Sequence, residues 1–363
     1  MSAYPLHFLE PTFAEFFAGI GLMRIGLEKA GWKIRFANDI DPVKEKIYTG
    51  HFQDEHKHFL LGDIHALNAG SIPTVTLATA SFPCTDLSLA GRREGLAGRH
   101  SSAFWGFVDA LESMDERRPP IVLLENVEGF LTSHNGQDFK EALSALNGLG
   151  YAVDAFIIDA SHFVPQSRVR LFVVGHQIPQ KGNGVAQRKT PYQNQLRSKK
   201  LVDFIVSHPE INWDIRELPA LPARSASLSD IVEELPEDSK LWWPEDRVEY
   251  LLNQTFDRHK AIIDFLKLKV EYSYLTAFRR VRNGRSMAEI RSDGIAGCLR
   301  TPKGGSARQI LLRVGRGQVK IRFVSPRECA RLMGADDFTL SGKFNESLFG
   351  FGDAEINHLS SWN

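Results

Sequence analysis

The chain has 363 residues, 43% of them hydrophobic and 24% charged, enough for one large domain or two ordinary ones, each with its own core. Its 44 Lys and Arg balance 44 Asp and Glu, so global charge does not argue for an anionic partner. Residues 75–90, the stretch poorest in charge, still hold Asp86, residues 1–10 lack the make-up of a secretory signal, and Cys84, Cys298 and Cys329 have no CxxC spacing; a membrane span, export, a disulfide framework and a four-thiolate metal site are excluded, and a soluble cytoplasmic protein is expected.

Thr12 to Phe17 is a short apolar run followed by Ala18-Gly19-Ile20-Gly21, after which Leu22, Ile25, Gly26, Leu27 and Ala30 recur at helical spacing. This pattern predicts strand, glycine turn, helix. Glycines in such a turn permit positive φ and close approach of a ligand, although the third glycine of the dinucleotide fingerprint is missing at its usual spacing. Ile34 to Ala37 predicts a second strand ending in Asn38-Asp39-Ile40-Asp41-Pro42, whose proline suits the first turn of another helix. Gly62-Asp63-Ile64 closes a third segment, Val75 to Ala80 leads into Ser81-Phe82-Pro83-Cys84, and Ile121 to Leu124 leads into Glu125-Asn126. Helices are expected over residues 102–114 and 137–149, and strands over Tyr151 to Asp159 and Arg170 to Gly175.

Strands alternating with helices predict an α/β fold with a mostly parallel sheet covered on both faces, and ligands at the carboxyl ends of its strands. All the unusual clusters fall at those ends. After Gly175 the sequence turns polar and proline-punctuated. We therefore expect a first domain over residues 1–180, completed by 345–363, and a second, smaller one over 181–344.

Asp39 stands one strand after the glycine turn, where a carboxylate accepts hydrogen bonds from ribose hydroxyls, and Asp63-Ile64 offers an edge and a face to an adenine. Together they point to an adenosine-containing cofactor, either a nicotinamide dinucleotide or S-adenosylmethionine. Cys84 separates the two. A lone cysteine is more often a small buried hydrophobe, but this one follows a proline and precedes Thr85, Asp86 and Ser88, a polar setting in which a thiolate could add to a carbon electrophile. Glu125 supplies a candidate acid. Arg168 and Arg170 alternate, hence share a face if extended, and could clamp a phosphate or the substrate. A dehydrogenase would leave Cys84, Glu125 and Arg168 without roles.

Charge is unevenly distributed later in the chain. Residues 279–331 hold 14 basic and three acidic residues, while residues 221–264 hold five basic and ten acidic ones. The basic block can neutralise phosphates; the bland alternative for both is a solvated surface.

Phe17-Ala18-Gly19-Ile20-Gly21, Asn38-Asp39-Ile40-Asp41, Gly62-Asp63-Ile64, Phe82-Pro83-Cys84, Glu125-Asn126-Val127, Gln166-Ser167-Arg168-Val169-Arg170 and Arg327-Glu328-Cys329-Ala330-Arg331-Leu332-Met333-Gly334 follow one another in the order and approximate spacing of the DNA (cytosine-5)-methyltransferases. The chain resembles the bacterial enzymes that accompany restriction endonucleases, over residues 12–177 and again over about 299–352. The resemblance implies that Phe17, Gly19, Gly21, Asp39, Ile40, Asp63, Ile64 and Pro83 bind S-adenosylmethionine, and that Cys84, Glu125, Arg168 and Arg170 act on a cytosine flipped out of duplex DNA. It places target recognition in the middle region, where Arg300, Lys303 and Arg308 are candidate DNA contacts. A monomer with a companion endonuclease is expected. Two alternatives stay open: an RNA cytosine-5 methyltransferase, and a DNA-binding member with weakened or lost turnover. The second is suggested by the few residues that follow Gly350-Phe351-Gly352-Asp353-Ala354, which leave a short, marginal closing helix and predict weak cofactor binding.

Overall fold

A computed structural model describes residues 10–54, 58–83, 102–177, 192–282, 284–299 and 308–340. Cys84, Arg300, Lys303 and the closing residues 341–363 lie outside the described residues. The chain divides into two compact units, Met1–Ile158 with Val169–Leu221, and Asp159–Arg168 with Pro222–Asn363.

The first unit is built on a sheet of seven strands, β1 (Thr12–Phe16), β2 (Lys33–Asp39), β3 (Phe59–Leu61), β4 (Leu77–Ala80), β5 (Ile121–Val127), β6 (Tyr151–Asp159) and β7 (Val169–Gln177). They lie in the order β3-β2-β1-β4-β5-β7-β6. Pairings β1–β2, β2–β3, β1–β4 and β4–β5 are parallel and β5–β7 is antiparallel. The chain runs outward from β1 in one direction to β3 and in the other from β4, so the strand order reverses between β1 and β4. At such a switch point the connections leave in opposite directions and open a crevice beyond the carboxyl ends. Every residue of β1 and β4 is buried, as a central strand covered on both faces requires.

Its helices are α1 (Leu22–Lys29), α2 (Pro42–Phe52), α3 (Ser102–Ser113), α4 (Gln137–Gly148) and α5 (Lys199–Ser207). Local chemistry sets their ends. Asp41 caps α2 by accepting from the Val43 amide at 2.9 Å, with Pro42 at the first helical position, where no amide is needed. Phe16, Phe36, Phe104, Phe107, Phe130 and Phe139 are buried in one core, with the Phe16 and Phe107 rings edge to face at 5.1 Å.

The second unit carries an antiparallel sheet of β8 (Ser273–Arg282), β9 (Arg285–Arg291), β10 (Ile310–Gly315) and β11 (Gln318–Phe323), in the order β11-β10-β8-β9. Helices α6 (Glu245–Asn253) and α7 (Asp257–Lys267) bury Leu251, Ile263 and Leu266 with Trp243 in a core shared with Leu275, Ala277, Leu312 and Ile321. A last helix, α8 (Pro326–Leu332), is nucleated by Ser325 and Glu328, each side chain bonded to the other's backbone amide. Among the described residues no helix is long and apolar enough to cross a membrane.

Candidate active site

The glycine turn after β1 is held in shape by the next strand. Gly19 has φ +59° and its amide donates to Asp39 Oδ2 at 2.8 Å, while Asp39 Oδ1 accepts from the Asp41 amide at 2.9 Å. Each carboxylate oxygen has two lone pairs; Oδ2 also lies 3.6 Å from Lys44 Nζ, so it is on Oδ1 that a lone pair remains for a ligand hydroxyl. Gly21, at φ +84°, admits no side chain: a Cβ there would come within 2.4 Å of the Phe52 ring and 2.9 Å of Tyr48. Those rings are fixed by Arg24, which stacks 3.7 Å from the Phe52 centroid and bonds Tyr48 at 3.1 Å, Asp54 at 2.6 Å and Glu28 at 2.9 Å.

Phe17 has φ 57° and lies partly buried against the main core. Ile40 is exposed beyond β2, whereas Ile64 is buried in that core and Asp63 caps the following turn through the His65 amide at 3.0 Å. Of the two isoleucines, Ile40 is the one that presents an apolar face to solvent. Glu15, on β1, belongs to no motif in the sequence: it is buried, its Oε2 lacks a hydrogen-bond partner, and burial pushes its carboxyl up to about 8. A glycine cradle, a carboxylate with a free lone pair and an exposed apolar side chain at adjacent strand ends form a donor set that fits an adenosine-containing cofactor.

At the end of β5, Glu125 and Arg170 form an ion pair, Oε1 to Nε 2.7 Å, with both side chains about four-fifths buried. The sheet dictates this: Arg170 lies opposite Val127 and Phe172 opposite Glu125, so the pair is the diagonal one on a single face. The neighbouring Asn126 points the other way, is buried, and donates to the Phe82 carbonyl at 3.3 Å. That bond ties β5 to the segment Phe82-Pro83, in which Phe82 is buried and Pro83 exposed, immediately before Cys84. In the sequence Asn126 stands out only as Glu125's neighbour; alternation along a strand is the signal that it faces inward.

Arg168 and Arg170 meet different partners. Arg168 precedes β7 in the second unit, where its Nη1 lies 3.4 Å from the Leu299 carbonyl and 3.5 Å from Cys298 Sγ. Gln166 is fully buried there, donating to the Leu332 carbonyl at 2.7 Å and accepting from the Leu299 amide at 3.0 Å. Cys329 is buried in the core beneath α8, and burial pushes its thiol far up, as expected of an inert cysteine. Trp243 is core, and Trp242 donates to the Pro236 carbonyl at 3.0 Å. Much of the basic block is consumed internally. Arg280 pairs with Glu289, Arg291 with Asp293, Arg331 with Asp336, Arg313 and Lys320 both with Glu237, and Arg322 with the fully buried Glu328. Among the described residues no group of His, Cys, Asp and Glu is placed to hold a metal ion.

Type II methyltransferase M.BsuFI of Bacillus subtilis is 37% identical to this chain over 165 residues, 45% of this chain and 39% of that protein. The chain likewise spans only 45% of M.DsaV of Dactylococcopsis salina. Type II methyltransferase M.HhaI of Haemophilus parahaemolyticus is 24% identical over 350 residues, 95% of this chain and 90% of that protein. The fold is similar to that of the Entamoeba histolytica methyltransferase EhMeth, at TM-score 0.61 and 15% identity, covering 96% of this chain and 95% of that one. The family model for C-5 cytosine-specific DNA methylases matches residues 11–354. With that match over nearly its whole length, and with the glycine turn, Asp39 and Glu125 at the carboxyl ends of strands in a switch-point sheet, the chain belongs to the C-5 cytosine-specific DNA methylase family.

Proposed function

We propose that this chain transfers a methyl group from S-adenosylmethionine to carbon 5 of a cytosine flipped out of a specific duplex DNA sequence, through a covalent bond to Cys84. The observation that carries the reading is the arrangement at the end of β5, where Glu125 is held by Arg170 on one face and Asn126 holds the Phe82 carbonyl on the other, two residues before Cys84. S-adenosylmethionine, when bound, supplies an electrophilic methyl group. The glycine turn and Asp39 hold its adenosine, with Ile40 against the adenine.

Carbon 5 of cytosine is too electron-poor to attack such a methyl. The Cys84 thiolate adds to carbon 6, and the electron pair of the 5,6 double bond moves into the ring to make carbon 5 nucleophilic. A proton shared between Glu125 and ring nitrogen 3, with the exocyclic amine donating to the other carboxyl oxygen, offsets the negative charge that thiolate addition moves onto the ring. After methylation, a base removes the carbon 5 proton, the 5,6 double bond re-forms and the thiolate leaves. A protein thiol cannot reach carbon 6 inside a stacked duplex, so extrusion of the base comes first. The second unit reads the target sequence, with Arg300, Lys303 and Arg308 contacting the DNA, and the protein acts as a monomer beside a companion endonuclease.

Duplex DNA containing 5-fluorocytosine tests this, because fluorine at carbon 5 cannot leave as a proton. The full chain with cofactor should form a stable adduct with such DNA, and Cys84→Ala should form none. An adduct with Cys84→Ala, or plasmid free of 5-methylcytosine from cells that make soluble protein, overturns the reading.

A further inference from the structure

Helix α1 begins on Gly21, whose backbone is left-handed, and no side chain among the described residues caps it. At eight residues it is too short to hold its own first turn in water, so the glycine turn before it needs an anchor from elsewhere in the fold. Arg24 and Ile25 are the buried residues of α1, and Arg24, third in the helix, is 5% exposed. Its guanidinium gives each nitrogen to a different partner. Nε donates to Glu28 one turn further along α1, Nη1 to the Tyr48 hydroxyl on α2, and Nη2 to Asp54 beyond the end of α2. Nη1 also lies 3.2 Å from Nε2 of His58, the residue before β3.

These contacts reach the turn itself. The guanidinium face lies on the Phe52 ring, and the far edge of that ring, Cε2 and Cζ, abuts Gly21. Tyr48, fully buried, packs on Phe52 with centroids 4.7 Å apart and on Phe59, the first residue of β3, at 4.8 Å. Arg24 therefore links three elements: the glycine turn after β1, the helix that follows Asp39 and Ile40, and the strand that leads to Asp63. A planar fork with N–H groups in several directions and an apolar face suits this position, and Glu28 and Asp54 supply the opposing charge that a buried guanidinium requires. Asp39 already tethers the turn at Gly19, so a shift of Phe52 would tilt its Gly21 side alone.

We propose that Arg24 is a positioning residue for the cofactor: it fixes the register of the glycine turn against α2 and β3, and so sets the affinity for S-adenosylmethionine without touching it. The inference rests on the reading of S-adenosylmethionine as the cofactor. None of the motifs that mark the family in this sequence contains Arg24, Tyr48, Phe52 or Asp54.

Arg24→Lys keeps the positive charge and loses the fork. Calorimetric titration of the full chain with S-adenosylmethionine, at a temperature where parent and variant are both folded, should show binding weakened on the order of tenfold. In the cofactor-free proteins the backbone amides of residues 17–22 should exchange hydrogen faster in the variant, read by mass spectrometry. Tyr48→Phe removes one bond to Arg24 while keeping the ring, and should give a smaller change of the same kind. Arg197→Lys is the control: it disrupts a comparably buried pair in the same unit, 2.8 Å from Asp154, and should lower the melting temperature without weakening cofactor binding. Parent-like affinity and exchange in folded Arg24→Lys, or in Tyr48→Phe should Arg24→Lys not fold, overturn the role and leave the cofactor reading intact. An equal loss of affinity in Arg197→Lys also overturns it, because general loosening of the unit would then explain the effect. A folded parent that binds no S-adenosylmethionine overturns the cofactor reading itself.

Discussion

Glu125 and Arg170 are joined by an ion pair of 2.7 Å across the antiparallel edge between β5 and β7, on the opposite face of β5 from Asn126. Arg170 therefore orients the Glu125 carboxyl group, to which we assign the cytosine. Arg170 is itself steadied by a 2.8 Å bond to the Val169 carbonyl. Arg170→Ala should lower the rate of methyl transfer on the order of 10²-fold, as expected when a reacting group is displaced by about an ångström. Arg170→Lys should recover little of it, since an ammonium lacks the planar fork. Single-turnover methylation with both variants checks this, and cofactor affinity should not change.

Asp39 does more than the sequence indicated. It tethers the Gly19 and Asp41 amides, a role apart from the ribose contact proposed for it. Asp39→Ala should weaken S-adenosylmethionine binding by more than the ~0.5–1.5 kcal/mol of each lost hydrogen bond, because the turn is also released. Asp39→Asn should fail too, since an amide nitrogen facing a backbone N–H cannot accept. Calorimetric titration with the cofactor measures both, and an affinity equal to the parent's would show that Asp39 holds neither.

Burial raises the Glu15 carboxyl from its model-compound value of 4.5 to about 8. A proton held in the folded state above the pKa of the unfolded state makes unfolding more favourable as pH rises. Stability from this group is whole below about pH 4.5 and is lost as pH climbs through about 8. Glu15→Gln, neutral throughout, should lose less stability than the parent between about pH 5 and pH 9. Urea midpoints at both ends of that range give the comparison, and parallel curves for the two proteins would count against a protonated Glu15.

Glu328 is fully buried and accepts from both terminal nitrogens of Arg322 and from the Ser325 and Glu233 amides. Glu328→Ala removes one partner of a buried ion pair and strands the other, a loss of about 3–5 kcal/mol. Chemical denaturation should show it without any change in cofactor affinity, because Glu328 contributes to the second unit only.

Much of the first unit is legible in the sequence because its signals are local. The runs at Thr12 and Ile121 stand against their turn residues, and Asp41-Pro42 announces a helix by its own capping chemistry. The antiparallel insertion of β7 beside β5 was not legible: apolar alternation gives a strand's faces and says nothing of its direction or neighbours. Nor were Glu15 and Asn126, whose roles depend on which face of a buried strand meets which loop. In the second unit the basic block read as one feature. Its members divide once Glu237, Glu328 and Asp336 are folded against them, a pairing set by tertiary structure across as many as 83 residues of chain, as between Lys320 and Glu237.

The chain leaves the first unit after Ile158, returns at Val169 and leaves again after Leu221. The ten residues Asp159–Arg168 thus belong to the second unit while being encoded inside the first. No single cut yields both units intact: a fragment starting at Pro222 would lack Gln166 and expose the Leu299 amide and Leu332 carbonyl it satisfies. The same holds for heredity. A recombination event with one crossover at residue 221 would transplant most of the second unit but leave this ten-residue strap behind, matched to the wrong partner. Exchange of this unit between relatives should succeed only when both stretches travel together, or when the strap already suits its new neighbours.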